Sequence, residues 1–395
     1  MSDQSRYKFL LFIIVTSTIG QIAAEIYIPS LPYISHDFSI SNSLTQLSIA
    51  VFLFGMAVPG IFFGYISDYF GRRKILILST SISSVGTLMC VIAPNIYILI
   101  VGRLIQGLGF SGVGSLSRAI LRDRMSGVEL AKFASNLAVI TVLVIDVSPF
   151  FGGFLQQYFG WRPIFGILLC YNLFAIYISC QFKDDSNTEL NEQLNLGRIL
   201  HSAYDVIKDK TFFKYNMFSA LTYAVLMSYL AVASFLFENK VGISPTEFGT
   251  TTLGLSFVYM LGTFTNGRLL QHFHMDKLIR NGVVLMWVTA IYCLLIATLI
   301  PLTYWSLVIL VVLIYLSSSA LFANSSAQAF SSVGKSVGVA SALYSSVQVF
   351  VAAVFSALIS LFHVNSTLPL AGFMIIICIF MTSLFAIKVD RRQLK

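Results

Sequence analysis

The chain is 395 residues long, 57% hydrophobic and only 11% charged, with a mean hydropathy of +0.83. An ordinary soluble domain carries about twice that charged fraction, so the composition excludes one and makes the lipid bilayer the solvent. The net charge of +8 comes without a dense block of Lys and Arg, which removes nucleic acid as the partner a basic balance would otherwise suggest.

A membrane-crossing helix needs about 20 mostly apolar residues. About twelve such stretches can be drawn, at 9–28, 44–66, 75–93, 97–117, 133–155, 163–180, 212–237, 248–270, 282–300, 305–323, 337–361 and 368–387. They predict an all-α polytopic membrane protein of about twelve transmembrane helices in two six-helix halves. The longest polar stretch divides the chain into an N-terminal bundle at 1–181, a linker at 182–211 and a C-terminal bundle at 212–395. Within the linker Leu194, Leu196, Ile199, Leu200, Tyr204 and Ile207 recur at helical spacing, which fits an amphipathic helix on the membrane face and fits a plain tether equally.

With the N-terminus placed in the cytoplasm, 22 of the 25 Lys and Arg fall in tails, in even-numbered loops or, for Lys214 and Arg268, at the span ends bordering them, and only Arg103, Arg162 and Lys240 lie elsewhere. The positive-inside rule therefore puts both termini in the cytoplasm, where the cations also meet anionic lipid. The first stretch lacks a small-residue cleavage site and carries Glu25, so it reads as a retained span rather than a cleaved leader. Cys90, Cys170, Cys180, Cys293 and Cys378 all sit in or at the end of spans and give neither a disulfide framework nor a metal spacing.

Charge inside a span is costly, so each such group is a functional candidate by default. In the first span Thr18, Gln21 and Glu25 recur at helical spacing, as a polar stripe lining a watery cavity would. There Glu25 would exchange a proton, because loss of water favours the neutral form of a carboxyl; the plainer reading is a carboxylate facing water at the interface. After the second span comes Gly64-Tyr65-Ile66-Ser67-Asp68-Tyr69-Phe70-Gly71-Arg72-Arg73-Lys74. Gly64 would let a helix end approach a neighbour closely, Gly71 supplies a sharp turn, and Asp68 has the cations Arg72 and Arg73 within reach. Gly262-x-x-x-Asn266-Gly267-Arg268 echoes this loop in the second half, and a repeat of that kind puts a substrate site between the halves at mid-membrane depth.

Arg103 lies in the fourth span, where a permanent cation needs a carboxylate, a dipole or water. Pairing with Glu25 is the first candidate, and a purely structural partner is the alternative. Asp146 opens Asp146-Val147-Ser148-Pro149-Phe150-Phe151-Gly152-Gly153 in the fifth span, where proline and paired glycine predict a kink or a close helix crossing. Asp146 reads either as a coupling or ligand group or as a buried acid satisfied by nearby hydroxyls. The second half carries uncharged polar stripes: Asn216, Ser219 and Tyr223; Asn324 and Gln328; Ser341, Tyr344, Ser345 and Gln348. With Gln21, Tyr27, Tyr229 and Phe235 they suit an amphipathic, partly aromatic guest, and hydrogen bonds between helices explain any one of them as well. No P-loop, zinc spacing or nucleophile elbow occurs in a suitable context, which argues against ATP-driven transport and against an enzyme.

Taken together these segments resemble the drug:proton antiporters of the major facilitator superfamily, most closely the Bcr/CflA multidrug-efflux group. The likeness runs from about Phe9 to Ile387. It includes the Gly64–Lys74 loop, Glu25-Ile26-Tyr27-Ile28-Pro29-Ser30-Leu31-Pro32, Arg103-x-x-Gln106-Gly107, and Arg118-Ala119-Ile120-Leu121-Arg122-Asp123 leading into Ser148-Pro149-x-x-Gly152-Gly153 and Gly160-Trp161-Arg162. Asn266-x-Arg268-Leu269 and Ala340-Ser341-Ala342-Leu343 with Gln348 extend it. The resemblance implies the major facilitator fold, Glu25 as the proton-coupling acid, Arg103 as its partner, and Pro149–Gly153 as the antiporter motif. Where the family commonly has proline and alanine, this chain has Asp146 and Ser148, and Ala323 stands where a proline usually precedes Asn324. The added acid would change ion stoichiometry or favour a cationic or specialised substrate.

The expected function is therefore proton-coupled export of a small organic molecule by alternating access, in the bacterial inner membrane. Protonation of Glu25 from outside would favour release there. The expected partners are the substrate, protons and lipid; the chain would act as a monomer, with the proton gradient in place of a cofactor. Uptake of a siderophore or nutrient on the same fold is the second reading, and a non-transporting membrane receptor the third.

Overall fold

A backbone crossing lipid must satisfy its own hydrogen bonds, and a helix does so within one segment. The computed structural model describes residues 3–57, 60–181, 196–333, 337–362 and 366–387, and every regular element among them is helical. α1 (Asp3–Glu25) passes through a short 3-10 turn, Ile28–Ser30, into α2 (Leu31–Asp37). Then come α3 (Asn42–Ala57), α4 (Gly60–Phe70), α5 (Arg72–Val91), α6 (Ile96–Arg124), α7 (Gly127–Phe159) and α8 (Arg162–Gln181). The second series is α9 (Leu196–Lys208), α10 (Lys210–Ser234) continued by a π-helical segment Phe235–Val241, α11 (Pro245–Leu269), α12 (Met275–Thr298), α13 (Tyr304–Ser331), α14 (Val337–Ile359) and α15 (Leu368–Leu384).

Among the described residues nine helical stretches are long and apolar enough to cross a membrane by themselves, and α3 with α4 makes a tenth, bent by 42°. The apolar α15, of 17 residues, and α11, of 25 residues rich in Thr and Gly, complete the expected set. α6 packs on α1, α3 and α5, and α8 on α5; in the second series α10 packs on α13, α14 and α15, and α12 on α13 and α15. The two series meet where α3 lies along α14 and α7 along α11.

The structure corrects several expectations. The span at 44–66 is described as α3 and α4, inclined to one another by 42°, with 58–59 outside the described residues. α6, α7 and α13 outrun the stretches drawn at 97–117, 133–155 and 305–323, because hydropathy marks only the lipid-crossing part while helical hydrogen bonding continues into water. α7 runs through Pro149, as the span drawn at 133–155 requires. Of the linker, 182–195 lies outside the described residues, α9 forms most of the remainder, and α10 already begins at Lys210. α9 turns Ala203 and Val206 inward on α10 and α14 and leaves Tyr204 and Ile207 exposed.

Candidate functional site

A cavity of ≈ 310 Å³ lies between the two helix series. α1 supplies Gln21, α6 Phe110 and Arg118, α10 Tyr223, α13 Phe322 and α14 Gln348. A second cavity of ≈ 350 Å³ shares Gly60, Ser115, Arg118 and Ala342 with it and runs past Gly64, Asp68 and Arg72, towards the end of the bundle that carries the Gly71 turn.

The opposite end is shut by backbone. Gly152 of α7 sits so close to the Ile26 carbonyl, just beyond α1, that an added Cβ would overlap it. Gly153 meets the Pro245 carbonyl at the start of α11, and Gly249 of α11 meets the Pro149 carbonyl in return. Thus the Pro149–Gly153 segment makes the close crossing that its small residues foretell, and it clamps α7 to both neighbours. Glu25 stands next to Ile26 in this seal.

Glu25 is half-buried and has no hydrogen bond or ion pair among the described residues. The charged group that acts on it is Asp146, which itself faces Ser256 of α11. Tyr223, Tyr259 and Tyr315 close the region from α10, α11 and α13. Two acids singled out far apart in the chain are thereby brought together behind the shut end, and neither lines the two cavities.

The expected Glu25–Arg103 pair is not formed. Arg103 is fully buried, with its guanidinium carbon 4.1 Å from the Tyr27 ring centre and 3.9 Å from that of Phe52. Its Nη1 donates to the Ala23 carbonyl at 2.9 Å and to Gln106 Oε1 at 2.6 Å. Stacking between two π faces stabilises a desolvated cation without an anion. Gln106 Nε2 and Asn172 Nδ2 both donate to Thr87 Oγ1, at 2.8 and 2.9 Å, so the arginine anchors a polar chain through α5, α6 and α8. Thr87 and Asn172 were not singled out by sequence, since each reads as an ordinary polar residue in a span. We expect Arg103→Lys to lower the thermal unfolding midpoint of the detergent-solubilised protein, by a loss of about 1–3 kcal/mol, because an ammonium cannot cover both rings and both acceptors. An unchanged midpoint would remove the sandwich as a stabilising element.

Other candidates divide. Gln21, Tyr223 and Gln348 line the cavity, and Gln348 donates to Ser219, whose hydroxyl lies 2.6 Å from the Tyr344 hydroxyl. Tyr27 instead belongs to the arginine sandwich, Asn216 is buried off the cavity, and Tyr229 and Phe235 are buried. Thr18 faces Tyr171 of α8 at 3.1 Å rather than the cavity; Ser17 and Gln21, one turn apart, make that face.

In the loop, Gly71 adopts φ 94°, as its turn requires. Arg72 reaches Asp68 at 2.6 Å and Asp123 at 3.0 Å, while Arg73 donates to the last carbonyls of α8, Ser179 and Cys180. Gly64 departs from expectation: a Cβ there would meet nothing, so it permits no close approach in this conformation and borders open cavity instead. In the echoing segment, which is helical, Asn266 of α11 exchanges side-chain hydrogen bonds of 3.3 and 2.8 Å with Asn324 of α13.

Residues 11–357 match the family described as Major Facilitator Superfamily. The chain belongs to that superfamily. It is 29% identical over 363 residues to the uncharacterized MFS-type transporter YdgK of Bacillus subtilis, covering 91% of this chain and 89% of that protein. It is 23% identical over 369 residues to a bicyclomycin resistance protein homolog of Haemophilus influenzae, covering 93% and 92%. Its fold is similar to that of a bacterial homolog of the human lysosomal transporter Spinster, with TM-score 0.77, 16% identity and coverage of 98% and 97%. The chain is thus a multi-pass membrane protein and a secondary transporter rather than an enzyme, with its likeness to named resistance proteins consistent with the Bcr/CflA-like group.

Proposed function

We propose that this chain exports a small organic molecule from the cytoplasm across the bacterial inner membrane, exchanging it for protons by alternating access. The Gly71 end then faces the cytoplasm, a reading that the distribution of Lys and Arg supports. The observation that carries the reading is the place of Glu25: unpaired, beside Asp146, and one residue from the Ile26 carbonyl on which Gly152 closes. A change of charge there alters the stability of the shut end directly, so proton uptake and gate opening are linked through one short stretch of chain. Substrate enters by the cavities that run to the Gly71 end, and no cofactor is needed. The relative named for bicyclomycin resistance favours a drug-like cargo.

Direction decides the reading. Inside-out vesicles containing the protein should accumulate fluorescent drug-like compounds when the lumen is made acid, and lose them when an ionophore collapses the gradient. Accumulation only in vesicles of the opposite orientation would instead make the chain an importer.

A further inference from the structure

Among the described residues Arg118 is the one formally charged group on the lining of the ≈ 310 Å³ cavity, and it lines the adjoining cavity too. Its side chain is exposed there and has no ion pair among the described residues. The charged neighbour that acts on it is Arg122, a like charge that also borders the path. Asp68, the acid on the same path, is already held by Arg72 at 2.6 Å, and Glu25 and Asp146 line neither cavity. α14 begins at Val337 and brings Gly338 and Val339 to the adjoining cavity, adding the positive end of a long helix.

The remaining lining mixes hydrogen-bonding side chains, among them Ser111, Ser115 and Gln348, with the apolar Met56, Phe110 and Phe322. A guanidinium that faces the cavity without a counter-ion has its donors free for a guest, and a carboxylate matches its fork with two parallel hydrogen bonds. We propose that the cavity takes an amphipathic organic carboxylate, its charged end on Arg118 and its apolar body against Phe110, Met56 and Phe322. The inference rests on reading this cavity as the transport site, and it reverses the preference for cations that Asp146 suggested from sequence.

Three probes of one shape test it: 2-naphthoate, the neutral 2-naphthamide and cationic 2-naphthylmethylammonium, titrated calorimetrically into the purified chain in detergent. The native protein should bind the carboxylate roughly tenfold tighter than the amide, and the ammonium weakest. Arg118→Gln should bring carboxylate and amide level; Arg118→Lys should keep a carboxylate preference, and that retention separates charge from folding. The proposal is overturned by tighter binding of the ammonium, by equal binding of carboxylate and amide to the native chain, by a preference that survives Arg118→Gln, or by no binding of any probe at millimolar concentration. Gradient-driven flux of the same probes reads the export proposal separately. Cation-selective export would sink the carboxylate site and keep export, whereas carboxylate-selective binding without flux would do the reverse.

Discussion

Glu25→Gln reduces proton-driven export to the level of vesicles without protein, while substrate binding in detergent persists. The amide keeps the size and polarity of the carboxyl but cannot exchange a proton, so only the coupling step is removed. Glu25 has no ion pair to lose, and its substitution therefore leaves no cation stranded: Arg103 remains between Tyr27 and Phe52. The same absence predicts that the variant stays folded, with a thermal unfolding midpoint close to that of the native protein. Export should be followed in reconstituted vesicles under an imposed pH gradient, and binding across pH. The native protein's affinity should vary with pH, and that of the variant should vary less. Full gradient-driven export by Glu25→Gln would take this residue out of the coupling mechanism.

Much of this architecture is legible in the sequence because lipid leaves few options. Apolar stretches of helical length mark the crossings, and Lys and Arg mark one face. What hydropathy misses is where a helix stops: α6 ends at Arg124 and α13 at Ser331, past their apolar parts, since helical hydrogen bonds outlast the bilayer. The site was legible as residue types rather than as partners. Arg103 was expected to need an acid, and finds two aromatic faces and a backbone carbonyl contributed by α1, α3 and the turn after α1. No local spacing shows that Tyr27 and Phe52 face one another across a guanidinium. Asp146 and Glu25 each stood out as an intramembrane acid, but their proximity is a consequence of tertiary packing alone. Arg118 was visible within a motif and read there as one more loop cation. Only the course of α6 along the cavity shows it facing that cavity.

Gly152→Ala holds the shut end open. The added Cβ would overlap the Ile26 carbonyl, a backbone atom that cannot rotate aside as a side chain does, so α7 must move away from the end of α1. Overpacking of this kind costs about 2 kcal/mol in the closed conformation. If the open conformation is free of the contact, the ratio of the two shifts by about thirtyfold. Spin labels at the exposed positions Tyr33 and Asn239, on α2 and the π-helical segment that pack together at this end, would report the change as a longer distance. The exposed Cys170 and Cys180 must first be replaced. Export should fall with the opening, because a transporter held in one conformation cannot alternate, whereas the unfolding midpoint should fall only slightly if the strain is relieved by opening. An unchanged distance together with normal export would mean that the crossing yields locally and that the Pro149–Gly153 segment is not the closing element.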